Sequence, residues 1–396
     1  MPLPPFDPLS EEFRQDPYAL YRTYREEEPV HLGRPVQPGQ DACWYVFRHA
    51  DVTKLLKDVR LGRGDLDKNR EAAEPELRHF KSLLHMDPPD HTRLRRLVSK
   101  AFTASAVDAV LPRVRALADE FLDELGGRRE LDLIADFAFP LPVTVIGELL
   151  GVPVEERAQL REWSRAVAAG IDATSTAETF VAARQASVAM GEYVAAALDD
   201  HRRHPREDLL SALIAARDEG DRLSEDELIA LTILLIAAGH ETTVNLIGNG
   251  MLALLSHPEQ LAYARAAGVS RDGVDELLRF DSPVQMASRV AMDEVSAGSH
   301  TLPRGATVVS VLGSANRDPE VFADPDRLDL SRAARAHVSF GGGIHSCLGA
   351  LLARAEGRIA IEALLSRYPR MELAVESPAW RSGSAFRGLE SLPVRV

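Results

Sequence analysis

Two cysteines, Cys43 and Cys347, are all that the 396-residue chain contains. That is too few for a disulfide framework or a zinc ribbon. Lysine is nearly as scarce: five residues (54, 57, 68, 81 and 100) among 46 basic side chains, the rest being arginine. Arginine and alanine richness of this kind is the codon bias of a GC-rich bacterial genome and carries no message about folding. Positive charge is also in deficit, since 60 acidic side chains leave a net charge of −14. A balance this acidic excludes a general binder of nucleic acid or of anionic membrane. Long apolar runs are missing too. The most apolar stretch, Leu228–Gly239, is twelve residues without a charge, against about 20 for a membrane span. The N-terminal MPLPPFDPLSEEF lacks the basic start and apolar stretch of a signal peptide. A soluble, cytoplasmic protein is expected.

Glycine and proline, at 26 and 24 residues, are at ordinary levels, so collagen-like and low-complexity chains are out. Length alone suggests two or three domains at about 150 residues each. No Gly-, Ser- or Pro-rich linker divides the chain, however, and no internal repeat is visible, so one domain over 1–396 is expected. A chain of this size can bury about three quarters of its surface.

Apolar residues recur at helical spacing over most of the length. This predicts helices at Pro17–Glu27, Ala50–Lys57, His91–Phe102, Ala106–Leu125, Val143–Leu150, Glu155–Ala169, Ala177–Arg203, Ser224–Leu255, Val274–Phe280 and Leu348–Tyr368. Strand signals are short: Cys43–Arg48, Ser288–Ala291, Thr307–Leu312 and Leu392–Val396. The fold class is therefore mainly α with a small β region. Cys43, in an apolar strand, reads as a buried thiol.

The helix from Ser224 opens with a capping box, Ser224 with Glu227, and at 1.5 Å per residue would run about 48 Å. Its middle reads Ala238-Gly239-His240-Glu241-Thr242-Thr243. An acid and an alcohol inside an apolar helix are costly without partners or a task. A zinc-protease reading of His240-Glu241 fails, because Val244 stands where the second histidine is needed.

The most specific segment is Phe340-Gly341-Gly342-Gly343-Ile344-His345-Ser346-Cys347-Leu348-Gly349-Ala350. Cys347 falls at the predicted start of a helix, where unpaired N–H groups favour a thiolate. The glycines let backbone approach a flat ligand. An inert buried thiol, a nucleophile and a phosphate loop compete as readings. A phosphate loop would end in Lys-Ser/Thr, and an inert thiol would not need four neighbouring glycines.

This segment resembles the haem-thiolate signature of the cytochrome P450 monooxygenases, F-x-x-G-x-x-x-C-x-G, with every fixed residue present. AGHETT resembles the family's oxygen-activation motif, Glu276-Leu277-Leu278-Arg279 its E-x-x-R, and Pro325-Asp326-Arg327 its P-x-R element. Met86–Arg95 is similar to the H-x-x-x-R helix of soluble bacterial members. The resemblance covers nearly the whole chain. It implies the cytochrome P450 fold, with a long central helix over a haem. It also implies haem b (iron protoporphyrin IX) held by Cys347 as axial ligand, with Phe340, Gly341 and Gly349 shaping the loop. His91, Arg95, Arg289 and His345 are the implied propionate anchors. A thiolate ligand pushes electron density onto iron and favours O–O cleavage, tempered by N–H groups after Cys347. His91 and Arg95, four apart, share a helix face, and Asp87 is expected to cap that helix. Glu276, Arg279 and Arg327 should form a structural network, with Leu328 where the family often has Phe. Glu241 and Thr242 are the implied proton-delivery pair, and Thr242 can bond back to the Ala238 carbonyl, loosening the helix.

The same resemblance places the substrate pocket at Leu83, Leu84, Leu235, Ala238, Val284, Gln285, Met286, Ala287, Ala385 and Phe386. It implies oxygen insertion (hydroxylation or epoxidation) into a polyketide, macrolide or aromatic of secondary-metabolite, including antibiotic, biosynthesis. Electrons would come from NAD(P)H through ferredoxin reductase and ferredoxin. The substrate is a small molecule, free or tethered to a carrier protein, and the enzyme a monomer. Arg93, Arg96, Lys100, Arg354 and Arg358 would form a basic docking patch on an otherwise acidic protein. Oxidative coupling, peroxide-driven chemistry and a non-catalytic haem sensor are the alternatives. Glu241-Thr242 speaks against the peroxide route, whose users commonly lack this pair.

Overall fold

The computed structural model describes residues 3–35, 41–63, 82–171, 177–217 and 220–396. Its axis is the helix Glu225–Ser256. Ser224 Oγ accepts the Glu227 N–H and the Glu227 carboxylate accepts the Ser224 N–H, so both halves of the capping box form. The helix is apolar on every side, and such a helix must be sheathed all round. The helices Pro140–Leu149, Arg157–Ile171, Ala177–Arg203 and Ala350–Arg367 supply that sheath. It is the one helix among the described residues long and apolar enough to cross a membrane, and most of it is buried inside the protein.

Packing around this axis sets the position of the Ala350–Arg367 helix. Its Gly357 lies so close to the axis that an added Cβ would stand 2.6 Å from Leu246 Cδ2. Ile247, Met251 and Leu254 from one helix meet Ile359, Ile361 and Leu364 in the same core. Burying a Leu or Ile side chain there contributes roughly 1.5–3 kcal/mol.

The β region is small and mixed. Its main sheet orders Val30–Gly33, Cys43–Val46, Thr307–Val311, Met286–Ala291 and Leu61–Gly62, with only the Cys43–Val46/Thr307–Val311 pair parallel. The C-terminal segment returns to this sheet through the Val284–Phe386 bridge, which carries Ala385 and Phe386 to the strand that holds Arg289. Glu130–Asp132, Pro393–Arg395 and Glu372–Leu373 make a second sheet. Cys43 is fully buried, as expected. An N-terminal aromatic cluster of Phe6, Phe13, Tyr21, Tyr24, Tyr45 and Phe47 closes the far side of the main sheet.

Three local expectations are corrected. Asp87 does not cap the Asp90–Ala101 helix, whose first residue follows Pro89 without a side-chain cap. Instead both Asp87 oxygens accept the Arg63 N–H, at 3.0 and 2.9 Å. The last helix starts at Ala350 rather than 348, because Gly343–His345 forms a 3₁₀ turn and Gly349 is the cap. Cys347 therefore sits in the loop ahead of the helix. The helix at 274 begins earlier, at Arg271, since Ser270 Oγ accepts the Gly273 N–H at 3.0 Å.

Candidate active site

A cavity of about 960 Å³ lies between the central helix and the Cys347 loop. It is near the top of the range for small-molecule sites, roughly 300–1,000 Å³, so a flat cofactor and a substrate can share it. The Cys347 loop is built by two residues in left-handed conformation, Gly341 (φ +67°) and Gly343 (φ +66°). At Gly343 a Cβ would also stand 2.2 Å from the Leu56 carbonyl. Only glycine meets both demands. The Cys347 N–H donates to the Phe340 carbonyl at 3.0 Å, which closes the loop and leaves the thiol open to the cavity. Burial behind the sulfur pushes the thiol pKa up, while the Gly349 N–H and the charges of Arg95 and Arg354 pull it down.

Along one edge of the cavity stand His91, Arg95, Arg289 and His345. The two imidazole rings lie 4.5 Å apart, and His91 Nδ1, His91 Nε2 and His345 Nε2 are buried without a hydrogen-bond partner. Burial, then the nearby cations Arg289, Arg63 and Arg95 together with His91, push His345 down to about 2. Burial, with Arg63 close by, lowers Arg289 to about 9, although it donates to the Ser288 carbonyl at 2.8 Å. Buried polar atoms are normally paired, and these orphan imidazole nitrogens, beside Arg95 and Arg289 and with Asp87 as countercharge to His91 and Arg289, can take a further anion. The carboxylates of haem fit that demand, the open thiol fits its iron, and the glycine loop leaves room for a flat ring. Arg63, one of these cations, was missed from the sequence, where it belongs to no motif.

On the opposite wall Thr242 Oγ1 donates to the Ala238 carbonyl at 3.1 Å, as expected. Ala238 and Gly239 face the cavity. Glu241 does not line it. Its carboxylate is 7% exposed and pairs with Arg381, which comes from the C-terminal segment. Leu83, Leu84, Leu235, Val284, Met286, Ala287, Ala385 and Phe386 all reach the cavity. Gln285 is the exception among the pocket residues: it accepts from Tyr21 Oη at 2.9 Å and donates to the Ser282 carbonyl at 2.7 Å. Gln285 precedes the strand Met286–Ala291, and these two bonds hold its side chain against Tyr21 in the N-terminal aromatic cluster.

Behind the site, Glu276 and Arg279 are both 0% exposed and joined by two bonds of 2.6 and 2.8 Å. The expected third partner is corrected. Arg327 contributes only its carbonyl, at 3.2 Å, whereas the Arg332 guanidinium reaches Glu276 at 3.2 Å. The basic patch also contracts. Arg93 pairs with Asp221 and Glu227, and Arg354 with Asp275. Arg96 and Lys100 remain exposed, Lys100 donating to the Arg217 carbonyl at 2.8 Å.

Comparison with known proteins agrees with this geometry. The cytochrome P450 family model matches residues 158–266 and 271–378. The chain is similar to cytochrome P450 107B1 of Saccharopolyspora erythraea, at 45% identity over 97% of this chain and 96% of that protein. It is 42% identical to cytochrome P450 monooxygenase PikC of Streptomyces venezuelae, over 98% of this chain and 92% of that one. Among solved structures, the bacillaene polyketide synthase cytochrome P450 PksS of Bacillus subtilis superposes with TM-score 0.91 at 38% identity, covering 98% and 99% of the two chains. With motifs, fold and cavity in agreement, the chain belongs to the cytochrome P450 family and is a haem-iron oxidoreductase of the monooxygenase type.

Proposed function

We propose that this chain is one cytoplasmic catalytic domain that places an oxygen atom from O2 into an apolar secondary metabolite of polyketide, macrolide or aromatic type, by hydroxylation or epoxidation. The observation that carries the reading is the cavity itself. One wall offers an open thiol, one edge the guanidinium groups of Arg95 and Arg289 with the unpartnered imidazoles of His91 and His345, and the remaining surface is mainly apolar. Haem, when bound, supplies dioxygen activation. Cys347 would then hold the iron, and the four edge residues would hold the propionates. Phe340, Gly341 and Gly349 fix the loop beneath. Leu83, Leu84, Leu235, Ala238, Val284, Met286, Ala287, Ala385 and Phe386 select the substrate by shape.

Thr242 holds a proton donor at the distal wall, its hydroxyl free to exchange the Ala238 carbonyl for water. Glu241 supplies protons from outside the cavity and must loosen from Arg381 to do so. Electrons come from NAD(P)H through ferredoxin reductase and a ferredoxin that docks near the exposed Arg96 and Lys100. A substrate carried by an acyl carrier protein is the second reading. The solved P450BioI, 38% identical with TM-score 0.91, is a complex with a fatty acid ligated to acyl carrier protein.

The test is spectroscopic. Cys347→Ser should bind haem but lose the red-shifted Soret band that thiolate ligation gives the reduced carbon-monoxide complex. Retention of that band sinks the assignment. A substrate-induced spin shift followed by coupled turnover supports oxygen insertion. A spin shift without turnover would mark a sensor, and turnover only with added peroxide a peroxide-driven enzyme.

A further inference from the structure

Beside the Cys347 loop, and separate from the Glu276–Arg279 pair, three side chains from three segments converge. Asp275 lies on the Arg271–Phe280 helix, His337 in the approach to the loop, and Arg354 in the second turn of the Ala350–Arg367 helix. His337 Nε2 and Arg354 Nε both reach Asp275 Oδ1, at 3.1 and 2.5 Å. Asp275 and His337 are 4% and 1% exposed. The Ser339 N–H donates to His337 Nδ1 at 3.2 Å, so that nitrogen holds a lone pair and Nε2 carries the proton. That N–H is directed at Asp275, with Arg354 Nη2 3.5 Å from the same nitrogen. The Asp275 charge is left to Arg354, a charge-assisted bond of the stronger kind. Burial works against this carboxylate, but the His337 and Arg354 bonds hold its pKa below the usual range.

What the group grips is Phe340. The Arg354 guanidinium carbon lies 4.2 Å from the Phe340 ring centroid, with its Nη1 donating back to the Ala350 carbonyl at 3.2 Å. The His337 ring lies 5.6 Å from the same centroid. A cation over an aromatic face is attractive, and more so when desolvated. The backbone beside Phe340 is pinned as well: Ser339 Oγ donates to the Leu278 carbonyl at 2.8 Å, and the Val338 N–H to Asn316 Oδ1 at 2.7 Å. Phe340 is the residue whose carbonyl receives the Cys347 N–H at 3.0 Å.

We infer that Asp275, His337 and Arg354 form a positioning network that clamps Phe340 and, through its carbonyl, holds the Cys347 loop closed against the iron. None of the three needs to touch the cofactor. The network rests on Cys347 being the axial ligand, the reading proposed above. Its function is to resist loss of the sulfur ligand, since an unclamped Phe340 lets the Cys347 N–H and the sulfur shift together.

The experiment follows the reduced carbon-monoxide complex of the haem-loaded protein and the rate at which its thiolate-type spectrum converts to the form without thiolate. Asp275→Asn keeps the shape and removes the charge; His337→Phe keeps the ring and removes both hydrogen bonds. Each should convert about tenfold faster than the wild type, the factor expected for loss of one charge-assisted hydrogen bond. Each should also shift the haem reduction potential. Arg354→Lys, which keeps charge but loses the flat face over Phe340, is the further arm if the Asp275 variant does not fold, with a smaller effect in the same direction. The control is Arg395→Ala, which opens an exposed pair with Glu372 and should leave rate and potential unchanged. Variants with lowered thermal stability but wild-type conversion rate and potential would show a merely structural role and overturn the inference. A wild type without a thiolate spectrum would instead overturn the Cys347 assignment, and the network with it.

Discussion

Replacing Arg279 by methionine removes one half of a fully buried ion pair while keeping much of its volume. In the intact protein Arg279 gives two bonds to Glu276, at 2.6 and 2.8 Å, and others to the carbonyls of Asn316 (3.0 Å), Pro325 (2.7 Å) and Arg327 (3.2 Å). Breaking a buried pair from one side costs about 3–5 kcal/mol, because the remaining charge has no solvent to take it. Glu276 keeps the Asp329 N–H at 3.0 Å and Arg332 at 3.2 Å, which places its own penalty at the lower end. The Asn316 and Pro325 carbonyls add to it, since each buried acceptor without a donor costs about 1 kcal/mol or more, while the Arg327 carbonyl keeps Arg332 at 3.4 Å. The expected loss is about 4 kcal/mol, a thousandfold in the folded-to-unfolded ratio. Urea unfolding measures it as a fall in midpoint at unchanged slope. Arg395→Ala is the comparison, because its pair with Glu372 is 52% and 64% exposed and an exposed pair contributes less than about 1 kcal/mol. If the Arg279 variant falls no further than the Arg395 variant, the reasoning from burial is wrong.

Thr242→Ala should retain haem and consume reducing equivalents as peroxide; NAD(P)H use that stays coupled to product would remove Thr242 from proton delivery. Gln285→Met should leave ligand-induced spin shifts unchanged yet cost roughly 1–3 kcal/mol in stability, because Tyr21 Oη loses its acceptor in the core; an altered spin shift would return Gln285 to the pocket. Glu356, fully buried with Oε1 unpartnered, is raised by burial from 4.5 to about 8. The unfolded chain therefore releases this proton from about pH 4.5 upward, while the folded one keeps it until about pH 8. Wild-type stability relative to Glu356→Gln should fall across that window, by at most about 1.4 kcal/mol per pH unit, and level off above it. A flat difference curve from chemical unfolding at several pH values would contradict the shift.

Much of the molecule was legible in one dimension wherever a signal is local. The capping box at Ser224 and Glu227 depends on neighbours three residues apart, and it formed as read. The Thr242–Ala238 bond spans one helical turn and also formed. The glycines at 341 and 343 report a backbone need that no side chain can meet. The misreadings share a different cause, namely partners far away in sequence. Glu241 meets Arg381 across 140 residues, Arg354 meets Asp275 across 79, and Arg93 meets Glu227 across 134. Gln285 turned on its bond from Tyr21, 264 residues away.

The resemblance carried by short contiguous motifs was thus enough to imply the family, the thiol at Cys347 and the edge residues of its cavity, because each motif answers a local demand. Tertiary packing settled which charges are spent. Arg93 and Arg354 look like docking residues in the sequence and are ion-paired within the chain. Arg63 belongs to no motif yet stands among the cavity's cations. The reason is physical: a charge acts through space and dielectric, over a few ångströms that the chain reaches only by folding.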